Sequence, residues 1–157
     1  MSYGNAKYIM ISNNDVIFKP GWLNELLLAD LPLMSTHCPY DVRQRGINKN
    51  ETGDIVGRNF SGWNFVISRS LWGEIKGFDE DFGFYCADNS VLEQCREAGV
   101  LPTLIHNSLV HHLGSQTLKT VRNRDDLTWK YVDLFNKKYN KELFQNNREI
   151  HIWKTKQ

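Results

Sequence analysis

Apolar residues fall along the chain in short runs separated by polar, turn-forming stretches. The first run, Tyr8-Ile9-Met10-Ile11, stops at Ser12-Asn13-Asn14-Asp15, a pattern that predicts a buried strand ending in a polar loop. Pro20 sits where a helix can begin. Trp22, Leu23, Leu26 and Leu27 then form a helical stripe to about Leu31, ended by Pro32. Residues 37–60 are polar and carry Pro39, Gly46, Gly53 and Gly57, which predicts a long loop of the functional or mobile kind. Trp63–Ser68 reads as a strand, Ser70–Ile75 as a short helix, and Gly77 as its stop. Asp88–Ala98 has Val91, Leu92 and Cys95 at helical spacing and Gly99 as a C-terminal stop. Leu101–Ile105 predicts another strand, leading into Val110-His111-His112-Leu113-Gly114. Leu127, Tyr131, Leu134, Phe135 and Tyr139 recur at three- and four-residue steps, so an amphipathic helix opens the tail. Strands alternating with helices predict an α/β layer fold.

With 157 residues and no repeat, low-complexity segment or Pro/Gly/Ser linker, the chain is expected to form one domain. It is 41% hydrophobic and 24% charged, which excludes collagen, a disordered polyampholyte and a histone-like polycation. No apolar run reaches the roughly 20 residues that a spanning helix needs, so no membrane span is expected. The first residues lack the basic-then-apolar order of a secretory signal. Cys38, Cys86 and Cys95 form neither a CxxC nor an even disulfide set, which suits reduced thiols and a cytoplasmic location.

Net charge is only +1, but its distribution is uneven. Residues 61–112 hold three basic and seven acidic residues, whereas 113–157 hold ten basic and five acidic. An acidic middle suits cation or hydroxyl chemistry; a basic tail suits phosphate, acidic lipid or simply water. No basic stripe is interleaved with aromatics, so no nucleic-acid partner is expected.

Three polar clusters follow apolar elements: Asn13-Asn14-Asp15, Cys86-Ala87-Asp88 and His111-His112-Leu113-Gly114. Ligands of open α/β sheets bind beyond the carboxyl ends of strands, which draws attention to all three. Each also has a plain structural reading: a turn for the first, a helix N-cap at Asp88 for the second, a hydrogen-bonded histidine for the third.

Their order, and the residues between them, resemble the family-2 glycosyltransferases. Tyr8–Leu23 is similar to that family's strand, degenerate DxD motif and "xxPxxL" helix start. Phe60–Phe82 is similar to its glycine- and aromatic-flanked strand followed by a "GGFDE-F" turn. Phe84–Gly99 resembles its "(E)D-(x)-L-x-R-x-x-x-G" helix, Val110–Gly114 its "H-x-x-G" element, and Lys137–Asn140 its "KYG". The resemblance spans about residues 7–140, leaving 141–157 as a basic tail. Asn13 stands where the family has its first Asp, Lys76 where it has the first Gly of a pair, and Ala87 where many members have Glu.

The resemblance implies a GT-A-like mixed sheet flanked by helices. The chain corresponds to the acceptor and catalytic half, without the nucleotide-binding half, so it is expected to be a truncated domain. The implied reaction is inverting transfer of a sugar from a nucleotide-sugar donor to an acceptor hydroxyl, such as that of a sugar or glycan. Mn²⁺ or Mg²⁺ would assist, held by Asp15 and His112, or by His111 instead. Asn13 and Asn14 would contact the donor. Asp88 would be the general base, and Gly62, Trp63 and Asn64 would line the acceptor pocket. The alternative is a non-catalytic glycan-binding or interaction module derived from the acceptor half. Strand Tyr8–Ile11 would lie at a sheet edge, where a homodimer partner or a separate nucleotide-binding chain would pair.

Overall fold

A computed structural model describes residues 4–114 and 122–143. Its organising strand is the run that shows least alternation, Asn64-Phe65-Val66-Ile67-Ser68 (β5), every residue of which is buried. A strand reads this way when both of its faces are covered. Phe65 and Ile67 point to one side, where they meet Leu33, Leu71, Ile75, Val91, Leu92 and Cys95. Val66 points to the other and meets Leu26, Met34 and Ile105.

β5 lies between two antiparallel neighbours, β1 (Tyr8–Ser12) and β3 (Leu33–His37), and β3 pairs in parallel with β6 (Thr103–His112). Antiparallel β2 (Val16–Phe18) and β4 (Glu51–Thr52) add to β6, giving the order β1-β5-β3-β6-β2 with β4 branching from β6. The molecule is therefore α/β with a mixed sheet, and β1 closes one end of the strand order. Helix α1 (Trp22–Ala29) covers one face, while α2 (Arg69–Glu74) and α3 (Ala87–Glu97) cover the other. Helix α4 (Arg124–Tyr139) packs Val132 and Phe135 against Phe82 and Cys86 just before α3. The Lys138 ammonium pairs with Asp79 at 2.6 Å and Asp81 at 2.7 Å, so Asp79 holds the turn rather than facing a ligand.

Several elements depart from the sequence expectation. α1 ends at Ala29, not Leu31, because Asp30 turns left-handed (φ 49°) ahead of the constraint Pro32 places on Leu31. β3 escapes the hydrophobic pattern because Ser35, Thr36 and His37 are buried polar residues. They are satisfied inside: Ser35 Oγ accepts from Ser61 N–H (3.0 Å), and Thr36 O accepts from Ser61 Oγ (2.8 Å). α3 starts one residue early, with Cys86 left-handed (φ 62°) as its N-cap. Asp88 is thus the second helical residue, not the cap, and its Oδ1 accepts from Asn89 N–H at 2.9 Å.

The predicted loop 37–60 is pinned by polar contacts rather than left to solvent. Gln44 is fully buried; its Oε1 accepts from Cys38 N–H (2.7 Å), and its Nε2 donates to Arg58 O (3.0 Å) and Ser61 Oγ (2.8 Å). Glu51 takes two hydrogen bonds from Arg58, at 2.6 and 2.8 Å, and one from Asn59. Of the basic tail, residues 144–157 lie outside the described residues.

Candidate functional site

One irregularity in β6 builds half of the site. Thr36 pairs with Ile105 and the next residue, His37, pairs with Leu109, so residues 106–108 bulge from the ladder. His37 Nδ1 lies 2.8 Å from His106 O, and Ser108 Oγ donates to Trp22 O at 2.8 Å, which fixes the bulge. Beyond it β6 continues as a strand and pairs with β2, placing Val16 opposite His112. Leu113 N–H donates to Asp15 O at 2.9 Å.

This register brings Asp15 and His112 together. His112 Nε2 lies 3.3 Å from Asp15 Oδ1, with both side chains largely buried (15% and 13% exposed). The contact has ion-pair distance but not hydrogen-bond alignment, since Asp15 Oδ1 has no hydrogen-bond partner among the described residues. Burial pushes the His112 imidazole below its ordinary value, against the pull of the Asp15 and Asp41 carboxylates. His112 is therefore held toward the neutral form, in which one ring nitrogen keeps its lone pair. Its ring stacks on Trp63, with centroids 4.8 Å apart and planes 7° from parallel.

Trp63, expected to line the acceptor pocket, is 6% exposed and packs with Cys38 and Val110. Asn64 is fully buried, and neither end of its amide finds a partner among the described residues. Asn13 and Asn14 are exposed in the turn between β1 and β2, where Asn13 N–H donates to Trp63 O at 2.8 Å. His111, the other histidine of the pair, packs against the exposed Tyr40 ring at 4.5 Å, away from Asp15.

Gly62 carries the arrangement on to Asp88. A Cβ at residue 62 would fall 2.1 Å from Asp88 Oδ2, so the missing side chain is the space the carboxylate occupies. Burial raises the Asp88 pKa above the ordinary carboxylate range, while the Asn89 and Asp88 N–H groups and Arg43 pull it partly back. Arg43 was not singled out by the sequence. It forms a two-point pair with Asp41 (Nε to Oδ1 3.1 Å, Nη2 to Oδ2 3.0 Å) and lies over the Trp63 ring at 5.8 Å. The pairing raises the Arg43 pKa; hydrogen bonds from Arg43 outweigh burial and hold Asp41 below its ordinary range. Only the turn-rich character of 37–60 pointed to this region.

Asp88 and Arg43 also border a cavity of about 510 Å³ between α3 and the segment after α4. Asp15 and His112 lie outside its lining. Among the described residues, no three His, Cys, Asp or Glu side chains converge to hold a metal ion. No described helix is long and apolar enough to cross a membrane. Compared with known proteins, the chain matches no family model and no curated relative.

Proposed function

We propose that this chain is the acceptor-binding and catalytic part of an inverting, GT-A-type glycosyltransferase that takes a nucleotide-sugar donor. The observation that carries the reading is a convergence. Asp15, His112 and Asp88, far apart in sequence, lie along one line of contacts through Trp63 and Gly62. Such a shared neighbourhood is what three groups acting on one reaction would need.

The Asp15–His112 pair suits a divalent cation that it does not enclose. It offers one carboxylate oxygen without a hydrogen-bond partner and one imidazole held neutral. Mg²⁺ and Mn²⁺ sites of this sparse kind draw their remaining ligands from phosphate oxygens and water. A cation bound there would offset the charge that develops on a leaving diphosphate. Asp88 would take the proton of the acceptor hydroxyl as its oxygen bonds to the anomeric carbon. The bond to the diphosphate would break on the opposite side, the leaving group keeping the electron pair. A carboxyl with a raised pKa is the stronger base for that step. Asn13 and Asn14, exposed beside Asp15, would meet the donor. The outer edge of β1 would receive a second copy or a separate nucleotide-binding chain. The three free cysteines suit a cytoplasmic setting.

The test is thermal stability with nucleoside diphosphates (UDP, GDP, dTDP) plus Mn²⁺. The parent should gain stability with at least one of them, only when Mn²⁺ is present, and Asp15→Ala should abolish the gain. No gain with any nucleotide, or equal gains in parent and variant, would overturn the reading.

A further inference from the structure

The cavity beside Asp88 has a chemistry of its own. Ile55, Val56, Leu92, Phe135 and Leu143 supply apolar walls, and the Asp88 carboxyl stands at one side. Most charged groups around it are already paired with one another. Arg96 donates to both Glu93 oxygens (2.7 and 2.9 Å) and to Asp54 Oδ2 (2.8 Å), while Lys141 Nζ lies 3.1 Å from Glu93 Oε2. Arg43 is engaged by Asp41. The Tyr85 hydroxyl, the Asn89 amide, Glu142 and Arg96 Nε remain to meet polar groups. A wholly polar oligosaccharide would still lay hydroxyls against the hydrocarbon of Ile55, Val56 and Leu143 and against the ion pairs already formed. Each polar group so stranded weakens binding.

We infer that the cavity receives an acceptor whose reacting hydroxyl is carried on an apolar body, as in an aryl glycoside, with that body against Ile55, Phe135 and Leu143. The inference rests on the reading of Asp88 as the base but concerns the other end of the acceptor. The volume of about 510 Å³ falls in the range of sites that enclose a molecule of this size. Recognition divides accordingly. Asp88 accepts from the hydroxyl, and the apolar walls select what bears it.

The probes are p-nitrophenyl β-glucoside and methyl β-glucoside, titrated into the full chain without nucleotide or metal and followed by protein-observed NMR. The p-nitrophenyl compound should bind at least about tenfold tighter, because it alone places a ring on the apolar walls. Its largest shifts should fall on Leu92, Phe135 and Leu143. Ile55 is 55% exposed, so Ile55→Asp alters a wall without opening the core, and it should erase most of that preference. Equal affinities, absence of binding by both compounds, shifts that map elsewhere, or a preference untouched by Ile55→Asp would each overturn the inference. Since neither nucleotide nor Mn²⁺ is present, such a failure leaves the thermal-shift result standing. Failure of the thermal-shift test would in turn leave the cavity's preference measurable.

Discussion

Replacing Gly62 with Ala would set a Cβ 2.1 Å from Asp88 Oδ2, 2.7 Å from its Cβ and 2.8 Å from its Cγ. Non-bonded carbons rest at about 3.5–4.0 Å, so the carboxylate must retreat by roughly 1 Å or the turn before β5 and helix α3 must part. Gly62 does not have positive φ, so the cost is contact rather than backbone strain. Overpacking of this kind costs about 1–3 kcal/mol. A double-mutant cycle with Asp88→Gly isolates it, because that change removes Oδ2, Cγ and Cβ together. The helix cost of the new glycine, about 1 kcal/mol, occurs on both sides of the cycle and cancels. Urea unfolding followed by tryptophan fluorescence should give a coupling of about 1–3 kcal/mol, the double variant being more stable than the two single changes predict. Asp88→Ala, which keeps the Cβ, should recover less. Additivity within about 0.5 kcal/mol would mean that residue 62 and Asp88 do not meet, and the site would have to be redrawn. In any assembly that transfers sugar, Gly62→Ala should also lose about 10²–10⁴-fold in rate through the displaced base.

Gln44→Ala leaves the buried Cys38 N–H without its acceptor and Arg58 O without a donor; it should cost about 2–4 kcal/mol in urea unfolding. A loss under about 0.5 kcal/mol would show that the loop is held by other contacts. Two partly buried titratable groups, Asp88 and His112, give opposite pH signatures. Burial raises the Asp88 pKa, so its contribution to stability is full below the unfolded value near 3.8 and is lost as pH rises through the folded pKa. Asp88→Asn should therefore match the parent in acid and become the more stable protein on titration toward neutrality, read by melting temperature. Burial lowers the His112 pKa, so its contribution is present above about 6.5 and fades as pH falls, which His112→Gln should flatten. A pH-independent Asp88→Asn difference would refute the carboxyl's buried placement.

The hydrophobic pattern was a sound guide wherever burial is apolar and local. β1, β5, α1, α3 and α4 all lie within a few residues of the expected ranges because each carries its own stripe or run. β3 was invisible because Ser35, Thr36 and His37 look like loop residues until Ser61 and the bulge at 106–108 satisfy them from afar. The same holds for the site. Asp15 and His112 were expected together from a family resemblance, and β2, too short to stand out, supplies the register that joins them. The Trp63 ring lies against His112, a contact between residues 49 positions apart that no local pattern encodes. Arg43 carries no local signal beyond the turn-rich character of 37–60. Its position depends on Asp41 beside it and on the long-range hydrogen bonds of Gln44.

That dependence joins stability and chemistry in one loop. Gly57, with φ +84°, leaves room where a Cβ would stand 2.2 Å from Arg43 Nη1, so the guanidinium rests directly on backbone. From there its positive charge acts on both partly buried groups as the smallest of the influences on each: it offsets a little of the rise that burial gives Asp88 and adds a little to the fall that burial gives His112. Taken alone, Arg43 acts in the direction the proposed reaction needs at both groups. At Asp88 it favours the ionised carboxylate that a base must be, and at His112 the neutral imidazole that a metal ligand must be. At His112 the Asp41 carboxylate acts in the opposite sense and more strongly than Arg43, so it is burial that keeps the imidazole toward its neutral form. The hydrogen bonds of Gln44 to Cys38, Arg58 and Ser61 hold residues 41–43 at this distance. A loosened loop would thus weaken the influence of Arg43 on Asp88 and His112 while the apolar core on either side of β5 stays packed, because charge–charge interactions fall off with distance.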